Sequence, residues 1–213
     1  MALWLTGDSA ADALLEHNGF ALLVAMLLDQ QVPMERAFSA PSTLKARLGG
    51  RLDPAAIAAA DPEEIAAVFS AKPALHRFPR SMAQRVQALA RAVCDRHGGD
   101  AASIWTTAAD GRELVARLRG LPGFGQQKAQ ILLALLGKRL QVQPPGWEQA
   151  AGPYGAPGSF VSVADVDSPE ALERVREHKR SLKAASRSLA SLGGAGGRPP
   201  GLRVPARRGR GAP

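Results

Sequence analysis

The stretch that most constrains the fold is residues 121–129, which read LPGFGQQKA. A proline is followed by two glycines with one phenylalanine between them, and helix-forming sequence lies on both sides. Gly123 and Gly125 permit positive φ and leave no Cβ between the backbone and a partner. The stretch therefore predicts a tight corner between two helices, with a backbone that a ligand can approach closely.

The helix predicted after this corner begins near Gln126, and its first amides have no partner within the helix. Those amides and the positive end of the helix dipole attract an anion, for which phosphate is the obvious candidate. Lys128 lies in the first turn, where a cation opposes the dipole, so it indicates a ligand rather than helix stability. The alternative is that the glycines serve only the packing of two helices.

Composition and periodicity predict an all-α fold. Hydrophobic residues make up 46% of the 213 residues but aromatic residues only 5%. The core must therefore be mostly aliphatic, and alanine is the best helix former. The run FALLVAMLL at residues 20–28 predicts a fully buried helix. Further helices are predicted at residues 8–17, 34–48 with a break at Pro41 and Ser42, 54–60, 62–69, 82–97 capped by Ser81, 110–118 and 168–192.

The corner and its helices resemble the helix-hairpin-helix of the HhH-GPD base-excision DNA glycosylases, the superfamily of endonuclease III and the alkyladenine glycosylases. The pattern that carries the resemblance is apolar–Pro–Gly–apolar–Gly–x–x–basic–Ala at residues 121–129. It implies two helical lobes with a cleft between them, one of residues 20–138 and a smaller one of residues 1–19 with 139–192. It also implies a DNA phosphate held at the hairpin, often with a monovalent cation on the hairpin carbonyls. The phosphate-binding residues would be Gly123, Gly125, Gln126, Gln127 and Lys128.

Gln30 and Gln31 directly follow the apolar run, where polar side chains are expected at the mouth of a cleft rather than in the core. The resemblance implies that Gln31 enters the duplex where a flipped base leaves the stack. The alternative is that both glutamines only cap the helix end. The Pro-broken segment of residues 72–80 carries Arg77 and Arg80, which we expect to contact the DNA backbone. His76, in the same segment, is predicted to be a surface residue.

The chemistry that the resemblance implies requires a carboxylate, because cleavage of an N-glycosidic bond passes through an oxocarbenium-like state. Members that also act as lyases use a lysine nucleophile, and Gln127 occupies that position here. The family's essential aspartate would fall at about residues 145–147 of this chain, and no aspartate is present there. Glu148 can replace it, Asp165 or Asp167 can reach the site, or the chemistry has been lost. The sequence thus predicts a monofunctional DNA glycosylase, or alternatively a non-catalytic DNA-binding protein.

The distribution of charge and the number of cysteines limit which cofactors and partners the sequence allows. Residues 170–213 hold eleven Lys and Arg against three acids, whereas the rest of the chain is balanced. The last residues, 193–213, are predicted to be a disordered basic tail that binds a polyanion, or that only solubilises the chain. Cys94 is the only cysteine, which excludes an iron–sulfur cluster and a Cys-ligated zinc. We expect no required cofactor and no metal, no membrane span, and a cytoplasmic, nucleoid-associated monomer on double-stranded DNA.

Overall fold

A computed structural model describes the backbone of residues 3–193, and the side chains through residue 178 and at residues 180, 181 and 184. This part of the chain is all-α, as predicted, and contains no strand. The helices are α1 (Ser9–His17), α2 (Gly19–Leu28), α3 (Met34–Arg47), α4 (Pro54–Ala59), α5 (Pro62–Ser70), α6 (Pro79–His97), α7 (Ser103–Thr106), α8 (Gly111–Arg119), α9 (Gln126–Arg139), α10 (Trp147–Ala150) and α11 (Pro169–Gly193). Two short 3-10 turns lie at Gly152–Tyr154 and Val163–Asp165.

Several helices begin where an aspartate caps the first turn. Asp53, Asp61 and Asp110 accept hydrogen bonds from the free amides at the starts of α4, α5 and α8. In α4 and α5 a proline follows at the first helical position, where its missing N–H costs nothing. These starts were readable from the sequence because a cap is a local interaction.

Helix α2 lies at the centre of the core. Every residue from Phe20 to Leu28 is buried, and the helix packs against α1, α3 and α6. A helix that is apolar on all sides has no face for solvent, so its neighbours must surround it. The predicted buried helix is confirmed, and residues 29–31 directly follow its carboxyl end.

Two predicted boundaries were wrong. Helix α3 continues through Pro41, where the sequence analysis placed a break. Packing therefore outweighs the lost backbone hydrogen bond, since Ala40, Pro41 and Leu44 are all buried. Helix α6 begins at Pro79 instead of after Ser81, because proline is well suited to the first helical position.

The chain after α9 folds back along that helix. The Trp147 indole packs on Gly137, and a Cβ built on Gly137 would lie 2.4 Å from Trp147 Cε3. Gln130 Nε2 then donates to the carbonyl oxygen of Ala150 at 3.2 Å. The Gln127 side chain donates to the Tyr154 hydroxyl at 3.0 Å. Residues 147–154 thus run from the carboxyl end of α9 towards its amino end.

The chain divides into two compact units, Met1–His178 and Lys179–Pro213. Of the second unit, the structure describes only the end of α11. The division of the first unit into two lobes stays a prediction, and the predicted tail lies outside the described residues except for residue 193. No single helix among residues 3–193 is long and apolar enough to cross a membrane, and only α1 and α2 together, bent by 113°, pass that test.

The contact between Gly137 and Trp147 gives a stability prediction. Within a helix, Gly→Ala normally stabilises by about 1 kcal/mol. Here the new methyl group would overlap the indole, so we expect Gly137→Ala to lower the free energy of unfolding by about 1–3 kcal/mol. Chemical denaturation measures this. In a Trp147→Ala background the same change should be neutral or stabilising, and a loss of equal size there would contradict the contact.

Candidate nucleic-acid interface

Helices α8 and α9 form a hairpin whose corner is residues 120–125. The amides of Leu121 and Phe124 donate to the carbonyls of Leu118 and Leu121 at 3.1 Å each. Both side chains are buried and anchor the corner in the core. Gly123 has φ +83°, whereas Gly125 has φ −85°, so of these two glycines Gly123 alone uses the positive φ that both permit. The two helices are therefore joined by a tight turn whose apolar side chains point inward.

The outer side of the corner is open backbone. Gly123, Gly125, Gln126 and Gln127 are exposed, and within residues 3–193 no hydrogen bond to their amides is recorded. Gly125 is the N-cap of α9 and supplies no side-chain cap. A Cβ at Gly125 would meet nothing within 4 Å, so the approach to these amides is clear. The arrangement fits an anion at the positive end of α9.

The Lys128 ammonium does not point at this opening. Its Nζ donates to the carbonyl oxygens of Met26 at 2.6 Å and Leu27 at 2.8 Å, in the last turn of α2. Burial lowers the pKa of Lys128 to about 8; Asp29 opposes this shift and Arg85 adds to it. Lys128 is predicted from the sequence to bind a phosphate, whereas in the structure its ammonium has two helix carbonyls as partners.

The two glutamines after α2 have different surroundings. The Gln30 side chain donates to Leu27 O at 2.7 Å and accepts from Arg85 Nη1 at 3.2 Å. Gln31 is exposed and has φ +58°, which for a residue other than glycine costs about 1–2 kcal/mol. Such strain is typical of functional positions. Gln31 is therefore the member of the pair that is free to contact a ligand.

His76 is buried, with 1% of its surface exposed, so the predicted surface position was wrong. The Phe78 amide donates to its Nδ1 at 3.0 Å, so Nε2 carries the hydrogen and donates to Gln30 O at 2.9 Å. Burial lowers the pKa of His76, which favours the neutral ring that this bonding requires. The histidine ties the segment before α6 to the backbone beside Gln31. The sequence carries no signal of the bond between His76 and Gln30, because the partners are 46 residues apart.

The segment before α6 and the first turn of that helix present a second set of cations. Arg77 and Phe78 are exposed, with the Arg77 guanidinium 5.2 Å from the Phe78 ring centroid. Arg80 pairs with Glu63 at 3.0 Å on the exposed surface. Phe78, the N-cap of α6, supplies no side-chain cap. This segment, which His76 ties to Gln30, thus offers another helix amino end with basic side chains.

All three candidate carboxylates, Glu148, Asp165 and Asp167, line one cavity of about 340 Å³ at the carboxyl end of α9. Lys138, Trp147 and Phe160 also line it. Its lining therefore combines acids, a cation and aromatic rings.

The three acids differ in their partners. Asp165 is 4% exposed and accepts from Lys138 Nζ at 2.6 Å, from Ser159 and from the amides of Val161 and Ser162. Asp167 pairs with Arg139 at 3.2 Å. Glu148 is exposed, and no partner of its carboxylate is recorded within the described residues. Asp165 consequently holds its own loop together, whereas Glu148 is available.

The carbonyls of the corner bear on the predicted monovalent cation. Gly120 O already accepts from the Arg96 guanidinium at 2.8 Å, and Leu121 O from the Phe124 amide. The carbonyls of Pro122, Gly123 and Phe124 have no hydrogen-bond partner among the described residues. These three carbonyl oxygens do not by themselves show a cation site, so binding of a monovalent cation stays a prediction. No group of three His, Cys, Asp or Glu in this part of the chain could hold a metal ion.

Comparison with known protein families gives a match over most of the chain. The family model described as HhH-GPD superfamily base excision DNA repair protein matches residues 24–192. This span contains the end of α2, the hairpin, the carboxylate cavity and most of α11. The comparisons with curated proteins and with solved structures gave no match.

The buried lysine gives a pH prediction. The pKa of Lys128 lies below its usual 10.5 in the folded protein, so the unfolded chain binds the proton more tightly between about pH 8 and 10.5. The stability of wild type relative to Lys128→Met should therefore rise over that range. We expect a change on the order of 1–2 kcal/mol, below the full shift because the side chain keeps some solvent contact. Urea unfolding at pH 7.5 and 10 measures it, and a constant difference would contradict the buried charge.

Proposed function

The chain belongs to the HhH-GPD superfamily of base excision DNA repair proteins, and we propose that it is a monofunctional DNA glycosylase. In this proposal it binds double-stranded DNA as a monomer and hydrolyses the N-glycosidic bond of a damaged base. Membership implies DNA binding. The observation that carries the rest is the uncapped amino end of α9, whose corner packs on Leu27, four residues before the strained, exposed Gln31. The proposal places the protein in the cytoplasm with the nucleoid.

The corner would grip one strand of the duplex. The amides of Gly125, Gln126 and Gln127 are exposed and have no recorded partner within the described chain, so a phosphate oxygen can accept from them. The missing Cβ at Gly125 lets the phosphate approach the backbone. Arg77, which precedes α6, and Arg80, in the first turn of α6, would contact backbone phosphates. These contacts position the duplex without reading its sequence.

Gln31 would enter the base stack. An enzyme that acts on a base must take it out of the duplex, at a cost of a few kcal/mol in lost stacking and pairing. A side chain that fills the vacated space lowers this cost. Gln31 suits the role because its neighbour Gln30 is fixed by bonds to Leu27, Arg85 and His76. Its backbone is thereby held while its side chain stays exposed.

Glu148 would carry the chemistry. The C1′–N bond breaks as the base leaves, positive charge develops on the sugar, and water adds to C1′ while its proton passes to a carboxylate. Asp165 is committed to Lys138 and Asp167 to Arg139, which leaves Glu148 as the acid without a recorded partner. The cavity beside it, about 340 Å³, has room for a nucleobase, and Trp147 and Phe160 are among its lining residues.

A lyase step is not part of the proposal. The side chain at the family's lysine position is Gln127, an amide that cannot form a Schiff base with a sugar aldehyde. Lys128 is one residue further, which turns its side chain by about 100° around the helix. Its amine also donates to the α2 carbonyls.

One observation favours a second function, DNA binding without catalysis. The amino end of α9 is at Gln126, whereas the carboxylate cavity is lined by Lys138 and Arg139 at the other end. Twelve residues of helix span about 18 Å. A nucleotide flipped near Gln31 would have to cover much of that length to reach Glu148. If it cannot, the hairpin alone performs the function.

Base release separates the two functions. Duplexes that each carry one alkylated, deaminated or oxidised base are incubated with the protein, and the freed base is measured by chromatography. We expect release from at least one duplex, reduced by a factor of about 10² or more in Glu148→Gln because the variant lacks the carboxylate. Asp167→Asn is the matched control and should keep most activity. No release from any duplex would favour the binding-only function.

Duplex affinity tests the corner itself. Gly125→Val places a branched side chain in the open approach to the amides while leaving an extended backbone that valine readily adopts. We expect the affinity for duplex DNA to fall about tenfold or more, with the melting temperature changed by only a few degrees. Wild-type binding should also weaken steeply with salt. Unchanged affinity in Gly125→Val would exclude the corner as the phosphate site.

A further inference from the structure

The carboxyl end of α2 is held by a side chain from the hairpin. Lys128 Nζ, from the first turn of α9, bonds to the carbonyls of Met26 and Leu27. Helix α2 has no basic residue in its own last turn, and the left-handed position after it is Gln31 rather than glycine. Its terminal carbonyls are orphan acceptors that need outside donors. Lys128 supplies two of these donor contacts from about 100 residues away in the sequence.

A second contact joins the same two elements. A Cβ on Gly123 would lie 2.3 Å from Leu27 Cδ1, so the corner packs directly on the last turn of α2. Beyond that turn, the Gln30 carbonyl is fixed by His76. The chain from Leu27 to Gln31 is thus bounded by the corner on one side and by His76 on the other. Gln31 is the exposed, left-handed residue at its end.

We propose that Lys128 is a positioning residue that couples the phosphate-binding corner to Gln31. It holds the end of α2 so that Gln31 keeps its left-handed backbone, and it contacts no phosphate. The inference rests on the proposed function, in which the corner binds phosphate and Gln31 enters the duplex. A phosphate bound at the α9 amides fixes the first turn of α9. Through Lys128 the same turn also holds the end of α2. Phosphate binding at the corner and the positioning of Gln31 are therefore coupled.

The test compares intact duplex with duplex carrying a tetrahydrofuran abasic analogue, in which no base has to leave the stack. Wild type should prefer the analogue. Gln31→Ala and Lys128→Met should each reduce that preference about tenfold, and the double variant should lose no more than either single one, because both act through one element. Affinity of Lys128→Met for intact duplex and its dependence on salt should match wild type. Lys128→Arg, which keeps the charge and the donors, should retain the preference.

Arg119→Met is the matched control. It removes one cation from the end of α8, beside the corner, and Arg119 makes no recorded contact with α2. It should leave the preference intact. A preference unchanged in Lys128→Met would overturn the proposal. The proposal would also be overturned if the slope of log affinity against log salt concentration became shallower by about one in Lys128→Met. Such a change is the signature of one lost phosphate contact.

A measurement without DNA keeps the inference distinct from the proposed function. The ¹³Cα and ¹³Cβ chemical shifts of Gln31 report its backbone conformation. Lys128→Met should move them away from left-handed values, and Lys128→Arg should not. If wild type fails to bind duplex at all, the proposed function fails, and these shifts still decide whether Lys128 holds Gln31. Unchanged shifts in a folded Lys128→Met protein would overturn the positioning role.

Discussion

The candidate nucleic-acid interface depends on how the carboxyl end of the buried helix α2 is satisfied. Helix α2 is apolar on every side and completely enclosed, so water cannot satisfy the carbonyls of its last turn. An unpaired buried carbonyl costs about as much as a lost hydrogen bond. Lys128 and the Gln30 side chain bond to these carbonyls, and His76 bonds to the carbonyl of Gln30. The need to satisfy one helix end therefore brings the hairpin and the segment before α6 to the same place.

In the hairpin sequence the open amides and the Lys128 charge lie next to each other, but in the structure they face different partners. The amides of Gly125 to Gln127 remain open for a phosphate, whereas the nearby cation faces inward. A lysine in the first turn of a helix is unfavourable next to the dipole. Its position makes sense when its partners are the negative carboxyl end of another helix. The positive charge of Lys128 thus stabilises the end of α2 beside the open amides of α9.

The positions of the three carboxylates are set by a different part of the chain, the loop after α9. That loop folds back through the contact of Trp147 with Gly137 and closes with the buried pair of Lys138 and Asp165. Removing one partner of a buried ion pair is costly, because the other charge is left buried without compensation. Asp165 is therefore occupied with the shape of the cavity. Glu148, on the exposed α10, is left as the acid that can serve a reaction.

The sequence by itself determined the all-α class, the buried run of residues 20–28, the aspartate caps and the glycine corner with its family. These features depend on neighbours within a few residues or on the period of a single helix. Only the tertiary structure decided what Lys128 and His76 bond to, which glutamine is free, and how the three acids differ. Those outcomes depend on groups 27 to 102 residues apart, and a side chain's type does not specify which distant carbonyl or carboxylate the fold will place beside it.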